Sequence, residues 1–442
     1  MEAQTDIAII GGGLASLATA AALEGSGLEV TLIRKAPGAA ALSNGAWDLC
    51  DNPLSYPGEE IDRFPSVGKN ISELLHRRPH HPWWSYQQIQ GPEAIFSQLQ
   101  EFTLHLARSI PLELDGDGMN PIALLTDLGT LKATAMVQKS LAAGDLRRMK
   151  NAKILVVGIE GFVSLNARFL RKALEEMIGG QENPYVDLVG HLDVRLPKGS
   201  SQNSLSAFEV AQSIDSEEVF VELGRQINEY IQGKVYTHIF FPPVLGMIHT
   251  GKILEALSKI TGCHVAEVLP TLPSVPGWRL AEAILRYFQQ QEYDLLAGEV
   301  VGYESQGRNI QTLQVHCGKE RVKVNAKKVV LATGKFIGGG LRQSPPWHES
   351  IFGLPLWIEG KPLEDWDTKA LTRDDYEGFQ PWRSVGLRVN SWGQPLGIEE
   401  DPRFENLYAA GQILSGWDPA LDPCNAGVSI LSAKVVGQAI RE

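Results

Sequence analysis

Short apolar runs that break at glycine or proline alternate along the chain with longer segments whose apolar residues recur at helical spacing. The first run, residues 7–10, is followed by three glycines and then by an Ala-rich stretch over residues 14–23. β-Branched residues favour a strand, and alanine favours a helix. The N-terminus therefore predicts a strand, a glycine turn and a helix, in that order.

The same patterns predict further elements. Apolar or alternating runs predict strands at residues 28–33, 152–158, 186–196, 237–243, 298–302, 311–316, 321–324, 327–331 and 406–411. Helical spacing predicts helices at residues 92–108, 166–178, 216–232 and 280–291, and a closing helix that begins near residue 425. Residues 123–131 are predicted as a loop. This succession of strands and helices is typical of an α/β protein.

The glycine turn after the first strand has the pattern of a dinucleotide-binding site. Gly11 permits a tight turn, and Gly13 allows a pyrophosphate to approach the backbone while the N–H groups that open the helix face its charge. The third position of the pattern is Ser16, which is small but is not glycine. An apolar N-terminus can also be a signal peptide, but Glu2 and Asp6 stand where that segment needs basic residues.

The second strand ends in Arg34-Lys35, where a dinucleotide-binding unit usually places an acidic residue that holds a ribose. A cationic contact to a phosphate and a solvated basic pair are equally compatible with this position. A ribose contact of the NAD type is not supported.

Composition narrows the classes of function. A formal charge of −12 argues against a nucleic-acid surface, and 43% hydrophobic with 21% charged residues is ordinary for a soluble protein. The four cysteines are scattered without a Cys-x-x-Cys pair, so the usual spacing of a zinc or iron–sulfur site is lacking and a reducing compartment is expected. No apolar run after the glycine turn is long enough to span a bilayer.

Three separated stretches together resemble the two-dinucleotide-binding-fold flavoprotein superfamily. They are the N-terminal glycine turn, the strand that ends in Ala332-Thr333-Gly334, and the strand at residues 406–411. Within that superfamily the chain resembles the B subunit of anaerobic glycerol-3-phosphate dehydrogenase. The matching stretches follow one another over nearly the whole chain, at residues 42–49, 155–162, 273–280, 332–341 and 406–419. The turn at residues 422–427 has fewer glycines than that of relatives.

The resemblance implies an α/β fold with a Rossmann-like FAD-binding domain of the glutathione-reductase and fumarate-reductase type. This discontinuous domain is expected at residues 1–37 and 271–442. An inserted α/β substrate or cap domain is expected at residues 38–270, with some of its strands contributing to the first domain. The cofactor is expected to be FAD, with FMN as the alternative. It is expected to be non-covalent, because residues 42–49 contain no histidine that could attach to the flavin.

The implied function is that of a flavin-bearing component that oxidises glycerol 3-phosphate to dihydroxyacetone phosphate. Its implied partners are a flavin-containing catalytic subunit and an iron–sulfur subunit that passes electrons to quinone. The chain would then be cytoplasmic and peripheral to the inner membrane through those partners. Two alternatives stay open: a non-catalytic flavin-binding scaffold or electron-relay component, and a flavin dehydrogenase of another small hydroxy acid.

The resemblance also assigns residues to the cofactor. The glycine turn would cradle the pyrophosphate, the C-terminal helix start would face the ring with Asn425 as its N-cap, and Asp418 would bind the ribityl chain. The expected cofactor ligands are Gly11, Gly12, Gly13, Leu14, Ala15, Arg34, Ser43, Gly45, Thr333, Gly334, Gly411, Asp418, Gly427 and Val428.

No catalytic base is evident, and no metal site is expected. A glycerol phosphate needs a cation for its phosphate and a base for its hydroxyl. Arg279, Arg383, His249 and Arg342 are candidates by residue type alone, and each is more commonly a structural or surface group. Cys424 lies beside the expected flavin turn, where an inert buried thiol is the more common case.

Overall fold

A computed structural model describes residues 2–51, 64–85, 92–178, 186–197, 204–343, 346–375 and 378–442. Its strands are β1 Glu2–Ile10, β2 Val30–Arg34, β3 Leu114–Asp115, β4 Ile122–Leu125, β5 Leu131–Thr134, β6 Val137–Gln138, β7 Ala152–Ile159, β8 Val186–Val194, β9 His238–Phe241, β10 His264–Glu267, β11 Asp294–Ala297, β12 Glu299–Gln306, β13 Asn309–Cys317, β14 Glu320–Leu331, β15 Leu341–Arg342, β16 His348–Glu349, β17 Trp357–Ile358, β18 Lys361–Pro362 and β19 Leu407–Ala409. Its helices are α1 Leu14–Ala22, α2 Val67–Arg77, α3 Pro92–Ser109, α4 Lys139–Ala142, α5 Ala167–Ile178, α6 Ala207–Ile214, α7 Glu217–Ile231, α8 Thr250–Thr261, α9 Val275–Gln290 and α10 Asn425–Arg441.

A seven-stranded sheet joins the two ends of the chain. Its order is β11-β2-β1-β14-β13-β12, and β19 pairs with the last residues of β14. The five strands β11, β2, β1, β14 and β19 run parallel to one another, whereas β13 is antiparallel to both β14 and β12. In this register Ile10 lies opposite both Ile33 and Leu331, and Leu331 lies opposite Ala409. The carboxyl ends of four strands from distant parts of the sequence therefore meet at one edge.

The first and last helices pack closely against each other on one face of this sheet. A side chain at Gly437 in α10 would lie 2.4 Å from the Cβ atom of Ala22 in α1, so only glycine permits this approach. The helices α2, α3 and α9 join the same hydrophobic core, together with Trp47 and Trp417, both fully buried. This packing holds the glycine turn before α1 next to the start of α10.

A second, four-stranded parallel sheet lies in the middle of the sequence, in the order β10-β9-β7-β8. The helices α5 to α8 pack with it into a separate hydrophobic core. All strands of this sheet fall within residues 38–270, and all strands of the seven-stranded sheet fall outside that range. However, α2 and α3 belong to the core of the large sheet. The division at residues 37 and 270 therefore stays a prediction.

Most of the predicted elements are present. The strands near residues 28, 152, 186, 237 and 406 and the helices near residues 92, 166, 216 and 280 are confirmed. The loop predicted at residues 123–131 is wrong, because β4 and β5 form a hairpin there. Its residues 122–125 are buried on both faces and so show no alternation. The strands predicted at residues 321–324 and 327–331 are one continuous strand, β14.

His81 links the segment after α2 to the start of α10. Its side chain is fully buried, its Nδ1 atom accepts a hydrogen bond of 3.2 Å from the Trp83 N–H, and its Nε2 atom lies 3.7 Å from the Cys424 sulfur. Burial and then the nearby Arg78 charge lower the pKa of His81 to about 3. Protonation would also place a hydrogen on Nδ1, facing the Trp83 donor.

His81 is therefore expected to make the protein sensitive to acid. Between pH 6.5 and about 3 the unfolded chain binds a proton at this residue that the folded chain does not, so stability falls as pH falls through that window. On moving from pH 7.5 to 5.5, the free energy of unfolding of the natural protein should fall by roughly 1 kcal/mol more than that of His81→Gln. Urea denaturation at the two pH values measures this difference. Equal losses in the two proteins would contradict it.

Candidate cofactor site

The three stretches that are separated in the sequence meet at the carboxyl edge of the large sheet. The position that a side chain of Gly11 would take lies 2.2 Å from the Ala332 carbonyl oxygen. The corresponding position at Gly411 lies 2.6 Å from the Cβ atom of Ala15. The glycine turn, the end of β14 and the end of β19 therefore form one crevice, whose backbones approach closely because glycine stands at both contacts.

The turn before α1 presents backbone donors to this crevice. Gly11 has a φ of 143°, which other residues rarely adopt, and its N–H donates to the Ile33 carbonyl at 2.9 Å. The N–H groups of residues 12–16 donate to no acceptor in the described part of the chain. Unpaired N–H groups at the positive end of a helix form an anion site. The turn can hold a pyrophosphate.

Arg34 lies against this turn. A side chain at Gly12 would be 3.3 Å from the Cβ and 3.5 Å from the Nε atom of Arg34. Arg34 is half-buried, and burial lowers the pKa of its guanidinium while Glu282 opposes that effect. Lys35 is exposed instead and pairs with Glu299 at 2.9 Å. The structure therefore favours the cationic contact to a phosphate for Arg34, whereas Lys35 is a solvated residue.

Ser43 and Gly45 lie in the loop that follows a 3₁₀ turn at Ala39–Leu42. The Ser43 hydroxyl donates to the Ala40 carbonyl at 2.7 Å and accepts from the Gly45 N–H at 3.1 Å. The Ser43 carbonyl accepts a 2.7 Å hydrogen bond from Ser274, the N-cap of α9. Gly45 has a φ of 78° and packs on Pro276. This loop is positioned by α9, and its contact with a cofactor stays a prediction.

The turn after β14 contains an unpaired hydroxyl. Thr333 Oγ1 is buried and has no hydrogen-bond partner among the described residues. Gly334 has a φ of 69°, and the chain folds back so that a side chain at Gly340 would lie 2.5 Å from Thr333 Oγ1. A polar ligand group at this edge of the crevice would satisfy the hydroxyl.

Asp418 is fully buried beyond the end of β19. Its backbone N–H donates to Asp422 Oδ2 at 2.7 Å, and its Oδ1 atom accepts from the Ala420 N–H at 2.9 Å. Its Oδ2 atom has no partner in the described chain. Asp422 is in turn paired with Arg78 at 3.0 Å. One carboxylate oxygen of Asp418 is therefore left for a ligand.

Lys335 is a further polar group at this edge, and the sequence patterns did not reveal it. Its side chain is buried, and its Nζ atom donates to the Arg383 carbonyl at 2.8 Å and lies 5.1 Å from the centroid of the Trp417 ring. Burial lowers the pKa of Lys335 to about 7, against the opposing charges of Asp418 and Asp422. The sequence could have pointed to Lys335 by its position, because a lysine that directly follows Ala-Thr-Gly lies where a strand meets the crevice.

The C-terminal helix start differs from the expectation. Cys424, not Asn425, takes the N-cap position, and no side chain caps the helix. The N–H groups of Ala426 and Gly427 donate to the Asp48 carbonyl at 3.0 and 3.1 Å. The prediction of Asn425 as the N-cap is therefore wrong, and the loop before Cys50 already occupies two of the N–H groups at this helix start.

The glycine at position 427 has a packing reason. A side chain there would lie 2.1 Å from the Leu49 carbonyl oxygen. The Val428 N–H bonds the Cys424 carbonyl at 2.8 Å. The roles of Gly427 and Val428 beside the flavin stay predictions.

The candidate substrate residues are in different surroundings. Arg279 is buried, and its guanidinium bonds both oxygens of Glu267 at 2.7 and 3.0 Å and the Gly246 carbonyl at 2.8 Å, the geometry of a structural ion pair. His249 is exposed at the N-cap of α8. Arg342 is exposed in β15. Arg383 is half-buried beside Lys335, and its guanidinium has no carboxylate partner among the described residues.

Metal sites and membrane-spanning helices are both absent from the described residues. No group of three or more His, Cys, Asp or Glu side chains there could hold a metal ion. Within the same residues, no helix is long and apolar enough to cross a bilayer. Cys424 is fully buried, and burial raises the pKa of its thiol well above the usual value, as expected for an inert thiol.

The crevice and its donors define a dinucleotide-binding protein, and comparison with known families identifies the dinucleotide. The model of the FAD-binding domain family matches residues 6–428. The residues present fit FAD: unpaired N–H groups for its pyrophosphate, and unpaired oxygens of Thr333 and Asp418 for its hydroxyls. FAD is therefore the cofactor of this flavin oxidoreductase family member.

Relatives of nearly the same length narrow the class further. The B subunit of anaerobic glycerol-3-phosphate dehydrogenase from Pectobacterium carotovorum subsp. carotovorum (strain PC1) is 30% identical over 452 residues, covering 98% of each chain. The protein of that name from Actinobacillus pleuropneumoniae serotype 5b (strain L20) is 27% identical over 442 residues, covering 98% of each. The chain belongs to this family of B subunits. Among solved structures, the open conformation of a flavocytochrome c3 fumarate reductase aligns with a TM-score of 0.44 and 10% identity over 99% of this chain and 78% of that one.

Substitutions in the glycine turn should separate folding from cofactor binding. A side chain at Gly13 would meet only the Gly38 Cα atom, at 3.6 Å. The free energy of unfolding of Gly13→Ala should therefore lie within about 1 kcal/mol of that of the natural protein. It should nevertheless weaken FAD binding about 10-fold or more, because the methyl group enters the space of the pyrophosphate. Gly11→Ala should lower the free energy of unfolding by about 2 kcal/mol or more, because alanine rarely adopts the φ of Gly11 and its side chain would clash with the Ala332 carbonyl.

Two measurements check this pair: urea denaturation of the flavin-free protein, and equilibrium dialysis with FAD. Gly251→Ala is the control, since its side chain would enter open space in α8 and should change neither quantity by much. Unchanged FAD affinity in Gly13→Ala would refute the placement of the pyrophosphate.

Proposed function

We propose that this chain oxidises glycerol 3-phosphate to dihydroxyacetone phosphate with bound FAD and passes the electrons to a partner protein. The observation that supports it most is the crevice at the strand ends, where the N–H groups of residues 12–16 are unpaired at the start of α1 and buried oxygens of Thr333 and Asp418, which follow β14 and β19, have no hydrogen-bond partner in the described chain. The names of the relatives supply the substrate class.

The chain's own residues would hold the cofactor as follows. The N–H groups opening α1, from Gly12 to Ala15, bind the pyrophosphate, and Arg34 lies on the adenosine side. Thr333 and Gly334 cross the nucleotide, and Asp418 accepts a ribityl hydroxyl. When bound, FAD supplies the acceptor for the hydride that leaves the substrate carbon. The protein contributes orientation and charge.

Arg383 is the best-placed candidate for the substrate phosphate. It is half-buried, its backbone carbonyl accepts a hydrogen bond from Lys335, and no described carboxylate pairs with its guanidinium. Arginine binds phosphate oxygens through two parallel N–H donors. Arg279 is less suited because Glu267 already occupies its donors.

Electrons would leave through an iron–sulfur subunit, and from there reach quinone. The cysteine spacing of this chain offers no cluster site, and the relatives are named as one subunit of a larger enzyme. A flavin-containing catalytic subunit is proposed as the second partner. Together these partners would hold the chain at the cytoplasmic face of the inner membrane.

The second candidate function is a non-catalytic FAD-bearing scaffold or relay. The observation that favours it is the lack of an evident substrate base among the residues proposed from sequence: the arginines cannot accept a proton, and His249 is exposed at the N-cap of α8, a helix that packs with the four-stranded sheet. The two functions differ in whether substrate alone reduces the bound flavin.

Substrate reduction of the flavin separates these functions. We expect glycerol 3-phosphate to bleach the flavin absorbance of the FAD-loaded protein under anaerobic conditions, whereas lactate, another small hydroxy acid, leaves it unchanged. Acid precipitation should then release all flavin as FAD, leaving a colourless pellet. If the flavin absorbance persists with glycerol 3-phosphate, the scaffold function is favoured. If lactate bleaches the flavin, the protein is a dehydrogenase of another hydroxy acid. A yellow pellet would show that the flavin is covalently attached.

Arg383→Gln tests the phosphate contact. Loss of a charge-assisted contact worth about 1.5–3 kcal/mol should raise the glycerol 3-phosphate concentration for half-maximal bleaching about 10- to 100-fold, with FAD content unchanged. Arg195→Gln is the control, because that arginine forms an exposed pair with Glu160 in the other sheet's lobe. An unchanged concentration dependence in Arg383→Gln would remove Arg383 from the site.

A further inference from the structure

Four segments that are distant in the sequence each expose one large apolar side chain. The four lie on α5, at the tip of the β4–β5 hairpin, before α9 and at the end of the 3₁₀ turn that precedes Ser43: Phe169, Leu128, Leu272 and Leu42. These side chains are 52%, 59%, 64% and 45% exposed, in that order. Exposed apolar side chains are ordinary where they stand singly, whereas a contiguous group of them marks a contact surface.

The hairpin tip holds the first three of these segments together. A side chain at Gly129, the residue after Leu128, would lie 3.4 Å from the Phe169 ring. On the other side of the tip, Asp127 Oδ2 accepts hydrogen bonds of 2.8 and 2.9 Å from the N–H and the hydroxyl of Thr271. The exposed side chains of α5, the hairpin tip and the segment before α9 are therefore neighbours.

The fourth segment joins this row through the start of α9. The Ser274 hydroxyl, two residues after Leu272, donates to the carbonyl of Ser43, the residue after Leu42, at 2.7 Å. We call the row from Phe169 to Leu42 the apolar strip. It runs from the core of the four-stranded sheet, where α5 packs, to the loop of Ser43 that is predicted to contact the cofactor.

Most of the strip is uncharged. Residues 39–46 and 270–274 contain no charged side chain. The hairpin tip, residues 126–131, contains only Asp127, whose Oδ2 atom already accepts from Thr271. The strip therefore offers apolar surface without exposed carboxylates of its own along most of its length.

Positive charge lies at one end of the strip. Arg168 and Lys172 flank Phe169 on α5; both are exposed, and neither pairs with a carboxylate in the described ranges. Glu176 is exposed too, but it lies two helical turns from Phe169. In a chain with a formal charge of −12, this end of the strip is locally positive.

The charges select the kind of partner. An apolar centre with a charged rim is the anatomy of a protein–protein interface. Two copies of this chain that paired symmetrically through the strip would bring four cations, Arg168 and Lys172 of each copy, to one interface, and like charges oppose such pairing. A different protein with carboxylates facing these two residues fits the strip better.

The position of the strip selects the partner's role. A protein that takes electrons from the cofactor must come close to it, and the strip ends at the loop predicted to contact the cofactor. We propose that the apolar strip is the docking surface for the electron-accepting iron–sulfur subunit, whose facing surface has an apolar centre and carboxylates opposite Arg168 and Lys172. This inference rests on the proposed function, in which electrons leave through that subunit.

Two double variants test the docking surface in the FAD-loaded protein, by titration with the purified iron–sulfur subunit. Leu128→Ser with Leu272→Ser removes apolar side chains from the strip and should raise the dissociation constant about 10-fold or more. Arg168→Gln with Lys172→Gln should raise it about 5-fold or more at low salt, and this difference should vanish near 1 M salt, where charges are screened within about 3 Å.

The controls match these variants in exposure and charge. Val235→Ser changes a side chain that is 65% exposed just before β9, at the opposite edge of the four-stranded sheet from Leu272. Lys259→Gln removes an exposed cation from the last turn of α8. Neither control should change the dissociation constant. All variants should keep their FAD content and their bleaching by glycerol 3-phosphate without the partner, because these side chains are exposed.

Three results would overturn the proposal. The first is an iron–sulfur subunit that binds both double variants as tightly as the natural protein, or that does not bind the natural protein at all. The second is a dimer of the natural protein in sedimentation velocity that both double variants lose. The third is binding to phosphatidylglycerol vesicles that the double variants lose while they still bind the subunit. Failure of the proposed function would differ, because the subunit would then bind the strip while glycerol 3-phosphate left the flavin of the natural protein unbleached.

Discussion

The close approach of backbones at the carboxyl edge of the large sheet is the constraint on which the rest of the structure depends. Gly11 touches the end of β14 and Gly411 touches α1, and neither contact tolerates a side chain. Parallel pairing of β2, β1, β14 and β19 brings the four strand ends level, as the register at Ile10 shows. Ligands of open α/β sheets bind at such an edge, so the same contacts that close the fold also border the proposed site.

Charge burial at this edge follows from that geometry. The turns after β14 and β19 must pack together, and they bring Lys335, Asp418 and Asp422 into the interior. Of these three, Asp422 alone receives a full ion partner, Arg78. Uncompensated buried charges lower stability, so these residues do not stabilise the turn by themselves. A bound polar ligand would offset this cost, and the buried charges therefore support the proposed cofactor site.

The sequence predicted the local elements of the site because those depend on neighbours in the chain. The turn at Gly11 and the small residue at Ser16 follow from a strand, glycine and helix pattern, and Ser16 is fully buried as this pattern requires. The charges could not be predicted in this way. The pairing of Arg279 with Glu267, the position of Lys335 beside Trp417, and the Asp48 carbonyl at the start of α10 all arise from contacts between distant segments.

Hydrogen exchange of backbone amides tests the central claim most directly, with mass spectrometry of the FAD-loaded and the FAD-free protein. The N–H groups of residues 12–16 have no acceptor in the described chain, so they should exchange rapidly without FAD. With FAD bound, peptides covering these residues and residues 332–335 should become strongly protected, while peptides from β7 to β10 should not change. Protection confined to the second sheet, or none at the glycine turn, would contradict the account.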